Sequence, residues 1–96
     1  MYARLIIVHI QPTKFEEFAT TFSQVILPAI SREHGFKSIY VMKDDAQNKI
    51  AVLVLWDTES DAKASIEGYL SQRLPQVANL LVSQPSAETL EVILRA

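Results

Sequence analysis

Few side chains in this sequence can move a proton or bind a polar ligand group. There are two histidines, His9 and His34, no cysteine and a single tryptophan, Trp56, which ends an apolar strand. An indole in that place either packs in the core with its N–H satisfied or forms the wall of a pocket. The lack of cysteine excludes thiolate catalysis and disulfides and is typical of a cytoplasmic protein, which is the location we predict.

Each remaining candidate has a structural interpretation beside the functional one. His9 shares strand parity with Leu5 and Ile7, so it either projects toward a cavity as a general base or is satisfied at the strand end. Tyr69 can donate its hydroxyl into a pocket, or it is a partly buried structural tyrosine. Arg73 can pair with an anionic ligand, or it lies in solvent.

Two further charged residues have simpler explanations. His34 falls in the last turn of a predicted helix, where a cation is favoured by the helix dipole without any substrate. Arg4 is expected either to form an ion pair across a dimer or to be solvated. His9 and His34 are 25 positions apart without a carboxylate pattern, and the sequence has no Gly-rich phosphate loop. We therefore predict no metal site and no cofactor.

The charge balance argues against nucleic acid as a partner. Nine basic residues face eleven acidic ones, giving a net charge of −2, and no basic stripe is present. The longest apolar run, residues 50–56, is too short to cross a bilayer as a helix, and residues 1–10 fit a signal peptide poorly. We predict no association with nucleic acid or membrane.

The first half of the chain indicates a strand, a helix and a second strand. Residues 2–10 are rich in β-branched residues and end before Gln11-Pro12, and a capping box at Thr13 predicts a helix start there. An apolar stripe that includes Phe22 faces a core, Pro28 should kink the helix, and Gly35 should end it. Strand two is predicted at residues 36–43.

The second half predicts two more strands and two helices. Strand three covers residues 49–56 and strand four residues 89–95, with a helix capped by Thr58 and another beginning near Ser71 between them. The order β-α-β-β-α-α-β within one domain, residues 1–96, predicts an α+β, ferredoxin-like fold with a four-stranded antiparallel sheet.

Both faces of the two central strands are apolar. Leu5 and Ile7 oppose Ile6 and Val8 on the first strand, and residues 50–56 contain no polar side chain. A sheet of this kind is covered on both sides, whereas one chain of this length has helices for one face only. We expect a homodimer through the open sheet face.

The chain resembles the antibiotic biosynthesis monooxygenase domain of the dimeric α+β barrel superfamily. Ordered features along essentially the whole chain carry the resemblance: Gln11-Pro12, the helix start at residues 14–18, Ile26-Leu27-Pro28-Ala29, Gly35-Phe36, Leu55-Trp56 and Thr58-Glu59-Ser60-Asp61-Ala62. The resemblance implies two ferredoxin-like subunits packed sheet against sheet, with a pocket between each sheet and its helices.

The resemblance also implies a set of pocket residues. The family tryptophan corresponds to Trp56, which would position an aromatic substrate by stacking, and Phe22, Tyr69 and Arg73 are the other pocket candidates. In the polyketide oxidisers an Asn can lie four residues before the tryptophan, where this chain has Val52. Haem degraders use an Asn on the first strand and a His on the second helix, and this chain has neither.

Three functions follow as hypotheses. The first is a cofactor-independent monooxygenase acting on an aromatic or quinone-like molecule, with Trp56, His9 and Tyr69 as the catalytic candidates. The second is a non-catalytic dimer that binds a small molecule, which the scarcity of convergent polar groups favours. The third, haem binding or degradation, follows from the superfamily alone.

Overall fold

A four-stranded antiparallel sheet organises the protein. The structure is a computed structural model that describes residues 1–65 and 75–96. The strands are β1 (Tyr2–His9), β2 (Phe36–Asp44), β3 (Lys49–Trp56) and β4 (Ser86–Glu91), in the spatial order β2-β3-β1-β4. This sheet and its helices confirm the predicted α+β, ferredoxin-like class.

Helical segments connect the strands across one face of the sheet. Residues 15–30 form α1 (Phe15–Thr21), a π turn (Phe22–Ile26) and α2 (Leu27–Ile30), while α3 (Glu59–Ser65) and α4 (Pro75–Ala78) precede β4. The cap of α3 is the one that the sequence predicts. The Asp61 amide donates to the Thr58 hydroxyl oxygen at 3.1 Å, and that hydroxyl donates to the Asp61 carboxylate at 2.9 Å.

The first helix begins later than predicted. Thr13 does not cap it, because a tight turn at Pro12 and Thr13 is closed by the Lys14 amide donating to the Gln11 carbonyl at 2.9 Å. Lys14 is the cap residue, without a side-chain cap bond. Pro28 lies just after the π turn, where one wide turn takes up the backbone bond that proline cannot donate.

The last strand lies three residues earlier than predicted. Its register with β1 pairs Tyr2 with Glu91, so the chain beyond Glu91 passes the start of β1 and has little left to pair with. Only the Val92 amide still reaches back, to the Met1 carbonyl at 2.9 Å, and Ile93 and Leu94 are exposed. The apolar alternation in residues 89–95 misplaced the strand because an exposed tail carries the same pattern.

Strand pairing assigns every sheet residue to one of two faces. Ile6 pairs with Val52, and both lie toward the helices, whereas Leu5 pairs with Leu53 on the opposite, open face. The open face also carries Tyr40, which is paired with Leu53 and is 54% exposed. Both faces of the central strands are therefore apolar, and the helices cover one of them.

Candidate functional site

An apolar cavity lies between the sheet and residues 15–30. The described residues that line it are all apolar: Ile6, Val8 and Val52 from the sheet, Phe18, Phe22, Ile26 and Ile30 from residues 15–30, and Val77 and Leu81 from the chain before β4. The space measures about 430 Å³ with its open mouth, but the centre of a water molecule can occupy only about 30 Å³ of it. That is room for about two waters, and without polar partners they have no reason to enter.

Phe18 and Phe22 separate this cavity from a second apolar space. Their rings stack with centroids 5.7 Å apart, and both line a groove of about 550 Å³ that runs between α1 and the β2 side of the sheet. The groove is bounded by Val41 of β2 and Ile50 of β3. Because one aromatic pair forms the partition, a change in its rotamers would join the two spaces.

Trp56 lies on the helix side of the sheet, beyond the end of the cavity. Its side chain is 1% exposed and meets the Phe36 ring edge-on at 6.1 Å. The indole N–H is buried, and none of the residues described accepts a hydrogen bond from it. Val52, the residue four positions earlier, does line the cavity. Trp56 therefore presents an unused donor within the helix–sheet layer.

Arg4 also lies on the helix side, which the sequence did not reveal. It pairs with Val54 of β3 and with Thr89 of β4, and its Nη1 donates to the Thr89 hydroxyl oxygen at 2.7 Å. Its Nε is buried and has no acceptor in the described part of the chain. Burial lowers the pKa of the Arg4 guanidinium. Arg4 lies on the same face of β1 as Ile6. Because both faces of the strand are apolar, the sequence did not indicate which face points toward the helices.

Ser65 is the third buried donor without a partner. It ends α3, is 1% exposed, and its hydroxyl has no hydrogen-bond partner among residues 1–65 and 75–96. With Ala62 it forms the buried side of α3, which packs on β1, β3 and β4. Sequence reasoning passed over Ser65 because a serine in a helix usually points to solvent.

The predicted candidates are distributed over several places. Phe22 lines the cavity, whereas Trp56 lies beyond it. His9 does share parity with Leu5 and Ile7, but that is the parity of the open face, and its side chain is exposed there. Tyr69 and Arg73 lie outside the described residues.

His34 forms a polar cluster with Asp61 at the start of α3. Its Nδ1 lies 2.8 Å from the Asp61 carboxylate, which also accepts from the Thr58 hydroxyl. The hydrogen bond from His34 is the main cause that lowers the pKa of Asp61, and the same bond raises the pKa of His34. The carboxylate stands between imidazole and hydroxyl, so His34 cannot activate Thr58 as it would in a catalytic triad.

This cluster holds the chain in place just before β2 begins. Gly35 has a φ of +81°, and a Cβ on it would collide with the Asp61 side chain. The Gly35 carbonyl accepts from the Asp57 amide at 2.8 Å. The His34 side chain is 93% exposed and contacts Asp61 at the surface. It does not act as the predicted cation at the C-terminus of a helix.

Metal-ligand clusters and membrane-spanning helices were both sought among the described residues. No group of three or more His, Cys, Asp or Glu side chains that could hold a metal ion occurs among the residues described. Within the same residues, no helix is long and apolar enough to cross a membrane.

A family model identifies the domain. The model for antibiotic biosynthesis monooxygenase matches residues 1–70, which is most of the chain. The chain belongs to this family. No curated protein matches its sequence.

Solved structures of family proteins share the fold at low sequence identity. A candidate antibiotic biosynthesis monooxygenase from Nitrosomonas europaea is 20% identical, with 98% of this chain and 100% of that one covered and a TM-score of 0.82. One from Deinococcus radiodurans is 13% identical, with 100% and 96% covered and a TM-score of 0.84. The haem degrader MhuD of Mycobacterium tuberculosis, with two haems bound in its active site, is 15% identical, with 100% and 99% covered and a TM-score of 0.80.

Proposed function

We propose that this family member is a cofactor-independent monooxygenase acting on an aromatic or quinone-like small molecule. The observation that carries the proposal is the wholly apolar cavity between the sheet and residues 15–30, because it offers an aromatic ring system a dry place inside the fold. The family match supports the reaction type. The proposal concerns one chain's own cavity and needs no bound metal.

A monooxygenase without a cofactor restricts its substrate. Reduction of O₂ with one atom kept in the product and the other released as water takes four electrons, which here come from the substrate alone. Oxidation of a ring CH₂ to C=O supplies four electrons, so that R₂CH₂ and O₂ give R₂C=O and H₂O. The substrate is therefore an electron-rich ring compound with an acidic C–H or O–H, whose anion reacts with oxygen directly.

The protein's part is to hold and shape that anion. Trp56 is proposed to position the ring system and Phe22 to form the movable wall through which it enters. The cavity alone is small, but together with the groove behind Phe18 and Phe22 it reaches the size of ordinary ligand sites. Tyr69 and Arg73 are proposed as further pocket residues. His9 is exposed on the other face, so a role as base for this cavity has no support from its position.

The working unit is proposed to be a homodimer joined through the open sheet face. Leu5, Ile7, Leu53 and Leu55 point away from the helices, and Tyr40 and Met42 extend the same face and are about half exposed. A contiguous apolar surface of this kind is rarely left in water, and a second copy covers it with two-fold symmetry.

Two other functions are tested by the same sample. A non-catalytic binding protein is favoured by the described part of the lining, which offers no polar side chain to act as a base. Haem binding is favoured only by the likeness to a haem degrader. The cavity fits haem poorly, because none of its lining residues can ligate iron and residues 57–74 contain no histidine.

The deciding experiment measures oxygen uptake on a sample of known mass. We expect light scattering to give a dimer, and an oxygen electrode to record uptake with hydroxyanthrones and hydroquinones that exceeds autoxidation. A dimer that binds these compounds without faster uptake would instead be a binding protein. A shift of the Soret band on haem titration would support the haem hypothesis.

A further inference from the structure

The helix–sheet layer holds a positive charge that has no counter-charge among residues 1–65 and 75–96. The Arg4 guanidinium carries five N–H donors, of which one is used by the neutral Thr89 hydroxyl at 2.7 Å and the one at Nε is buried without an acceptor. No carboxylate in the described residues forms an ion pair with it. Glu91, the acid on the same face of β4, is exposed and lies beside Tyr2. A partly buried cation left this way costs stability.

Trp56 lies within reach of the same place. Tyr2 pairs with Trp56 and Arg4 pairs with Val54, so Arg4 and Trp56 are diagonal neighbours on one face, with Cα atoms roughly 7–8 Å apart. Both side chains are long enough to close that distance. The indole N–H of Trp56 and the Nε of Arg4 are both buried, and neither has a hydrogen-bond partner in the part of the chain that the structure describes.

Ser65 approaches from the helix layer. α3 follows β3 and packs on β1, β3 and β4. It begins at Glu59, three residues after Trp56, which pairs with Tyr2, so its start lies near the Tyr2 end of β1. Ser65 lies six residues beyond Glu59, which is a rise of about 9 Å along the helix and equals the length of about three residues of a strand. Ser65 is therefore level with the stretch of β1 just after Arg4, and its buried side faces the sheet.

This place continues directly from the apolar cavity. Ile6 and Val52 line the cavity, and the next residues on the same face of their strands are Arg4 and Val54, followed on β3 by Trp56. A ring system in the cavity would thus have one end against hydrocarbon and the other against Arg4 and two buried donors.

We propose that Arg4 binds a negatively charged oxygen of the substrate, with the Ser65 hydroxyl and the Trp56 indole N–H as neighbouring donors. The substrate class is then an aromatic compound with an ionised carboxylate or an ionised acidic hydroxyl. The inference rests on the proposed function for the ligand being the substrate. A guanidinium at the end of a dry cavity stabilises the anion, which is the form that an oxygenation without a cofactor requires.

The test compares ligands that differ in charge and little else. One pair is naphthoate and the neutral naphthamide, and a second is hydroxynaphthoquinone, ionised at neutral pH, and its neutral methyl ether. Binding is followed by calorimetry and by the fluorescence of Trp56, the single tryptophan. We expect the wild-type protein to prefer each anion about tenfold or more, the worth of a hydrogen bond to a charged group.

Three variants test whether Arg4 and Ser65 cause the preference for anions. Arg4→Met should abolish it, Arg4→Lys should keep part of it, and Ser65→Ala should reduce it about threefold. Arg32→Met, which removes an exposed arginine, is the matched control and should leave it unchanged. The proposal is overturned if anion and neutral partner bind alike, or if Arg4→Met preserves the difference. Preference for only one of the two anions would identify which oxygen is bound.

Stability gives an independent readout. Because Arg4 has no carboxylate partner among the described residues, Arg4→Met should leave the Tm of the ligand-free protein unchanged or raise it while it removes anion binding. Glu67 is the one acid in the undescribed segment 66–74. Coupling between Arg4→Met and Glu67→Gln in the ligand-free protein would show that the charge already has an internal partner and would overturn the proposal.

The two proposals can fail separately. Anion preference through Arg4 without oxygen uptake would retain this inference and remove the monooxygenase function. Oxygen uptake that changes neither with Arg4→Met nor with ligand charge would retain the monooxygenase function and remove this inference.

Discussion

At the scale of single residues, Trp56 has two roles to separate. It is the largest fully buried side chain, so its contribution to stability must be distinguished from any contribution to turnover. Its contact with Phe36 and its unused N–H allow that distinction, since one can be removed without the other.

We predict that Trp56→Phe impairs turnover far more than it impairs stability. Trp56→Ala should cost about 3–5 kcal/mol in the free energy of unfolding, whereas Trp56→Phe keeps a buried ring and should cost about 1–2 kcal/mol. Oxygen uptake and denaturant unfolding measured on the same variants provide the test. Phe36→Leu is the control, because it loosens the indole but keeps its N–H. Equal losses of turnover in Trp56→Phe and Phe36→Leu would mean that Trp56 only packs.

The His34–Asp61 pair should make stability depend on pH within a defined window. The raised pKa of His34 contributes stability that is present below its unfolded value of about 6.5 and lost as pH rises through the folded value. The lowered pKa of Asp61 contributes stability that is present above about 4 and lost as pH falls through its folded value. The pair therefore stabilises the fold between these limits.

His34→Gln tests this window. The Tm difference between wild type and variant should be largest near pH 5–6, should shrink above neutrality, and should decrease at high salt because the imidazole is exposed. A difference independent of pH would show that His34 acts through packing or a neutral hydrogen bond.

At the scale of elements, the segment formed by residues 15–30 decides the shape of the interior. The spacing of its apolar residues predicted a buried stripe that includes Phe18, Phe22 and Ile26, and the structure places these three in the core. Ile30 is buried as well but was not part of the predicted stripe. The π turn at Phe22–Ile26 was not predictable, because Pro28 indicates a disturbed helix but not the kind of turn that absorbs it.

We predict that Phe22→Leu joins the cavity and the groove. Loss of the stacked ring should cost about 1–2 kcal/mol in unfolding free energy and should increase the affinity for bulky tricyclic ligands relative to naphthoate. Phe15→Leu is the matched control, because Phe15 lines the groove but not the cavity. If both variants change ligand preference alike, the partition is elsewhere.

Strand prediction succeeded for β3 and failed for β4, whereas β2, at the other edge of the sheet, was predicted to within one residue. The bounds of β3 agree with the sequence because it lies between two partners, and apolar character ends where pairing ends. β4 has one partner, β1, and its ends depend on that register, which no local pattern encodes. The sequence singled out Trp56 and Phe22 by type and spacing, and of these Phe22 lines the cavity. The proposed roles of Arg4 and Ser65 could not be predicted, because they require knowledge of which strand face is inside.

At the scale of the whole molecule, the open sheet face should determine assembly. Leu53 lies at its centre, paired with Leu5 on one side and Tyr40 on the other. We predict that Leu53→Lys yields a monomer by light scattering, since a charge there cannot be buried without a partner. Ala64→Lys, on the exposed side of α3, is the control and should remain dimeric. If light scattering shows that the wild-type protein is a monomer, the proposed dimer is wrong.

The hydrocarbon lining of the cavity has a consequence for gases. A small apolar chamber that excludes water readily takes up xenon, a nonpolar atom larger than dioxygen, and dioxygen is more soluble in oil than in water. In the proposed reaction, the interior between Phe18 and Val52 would therefore collect dioxygen before any substrate arrives. Oxygen dissolved in the core would then reach the bound ring system from the protein interior.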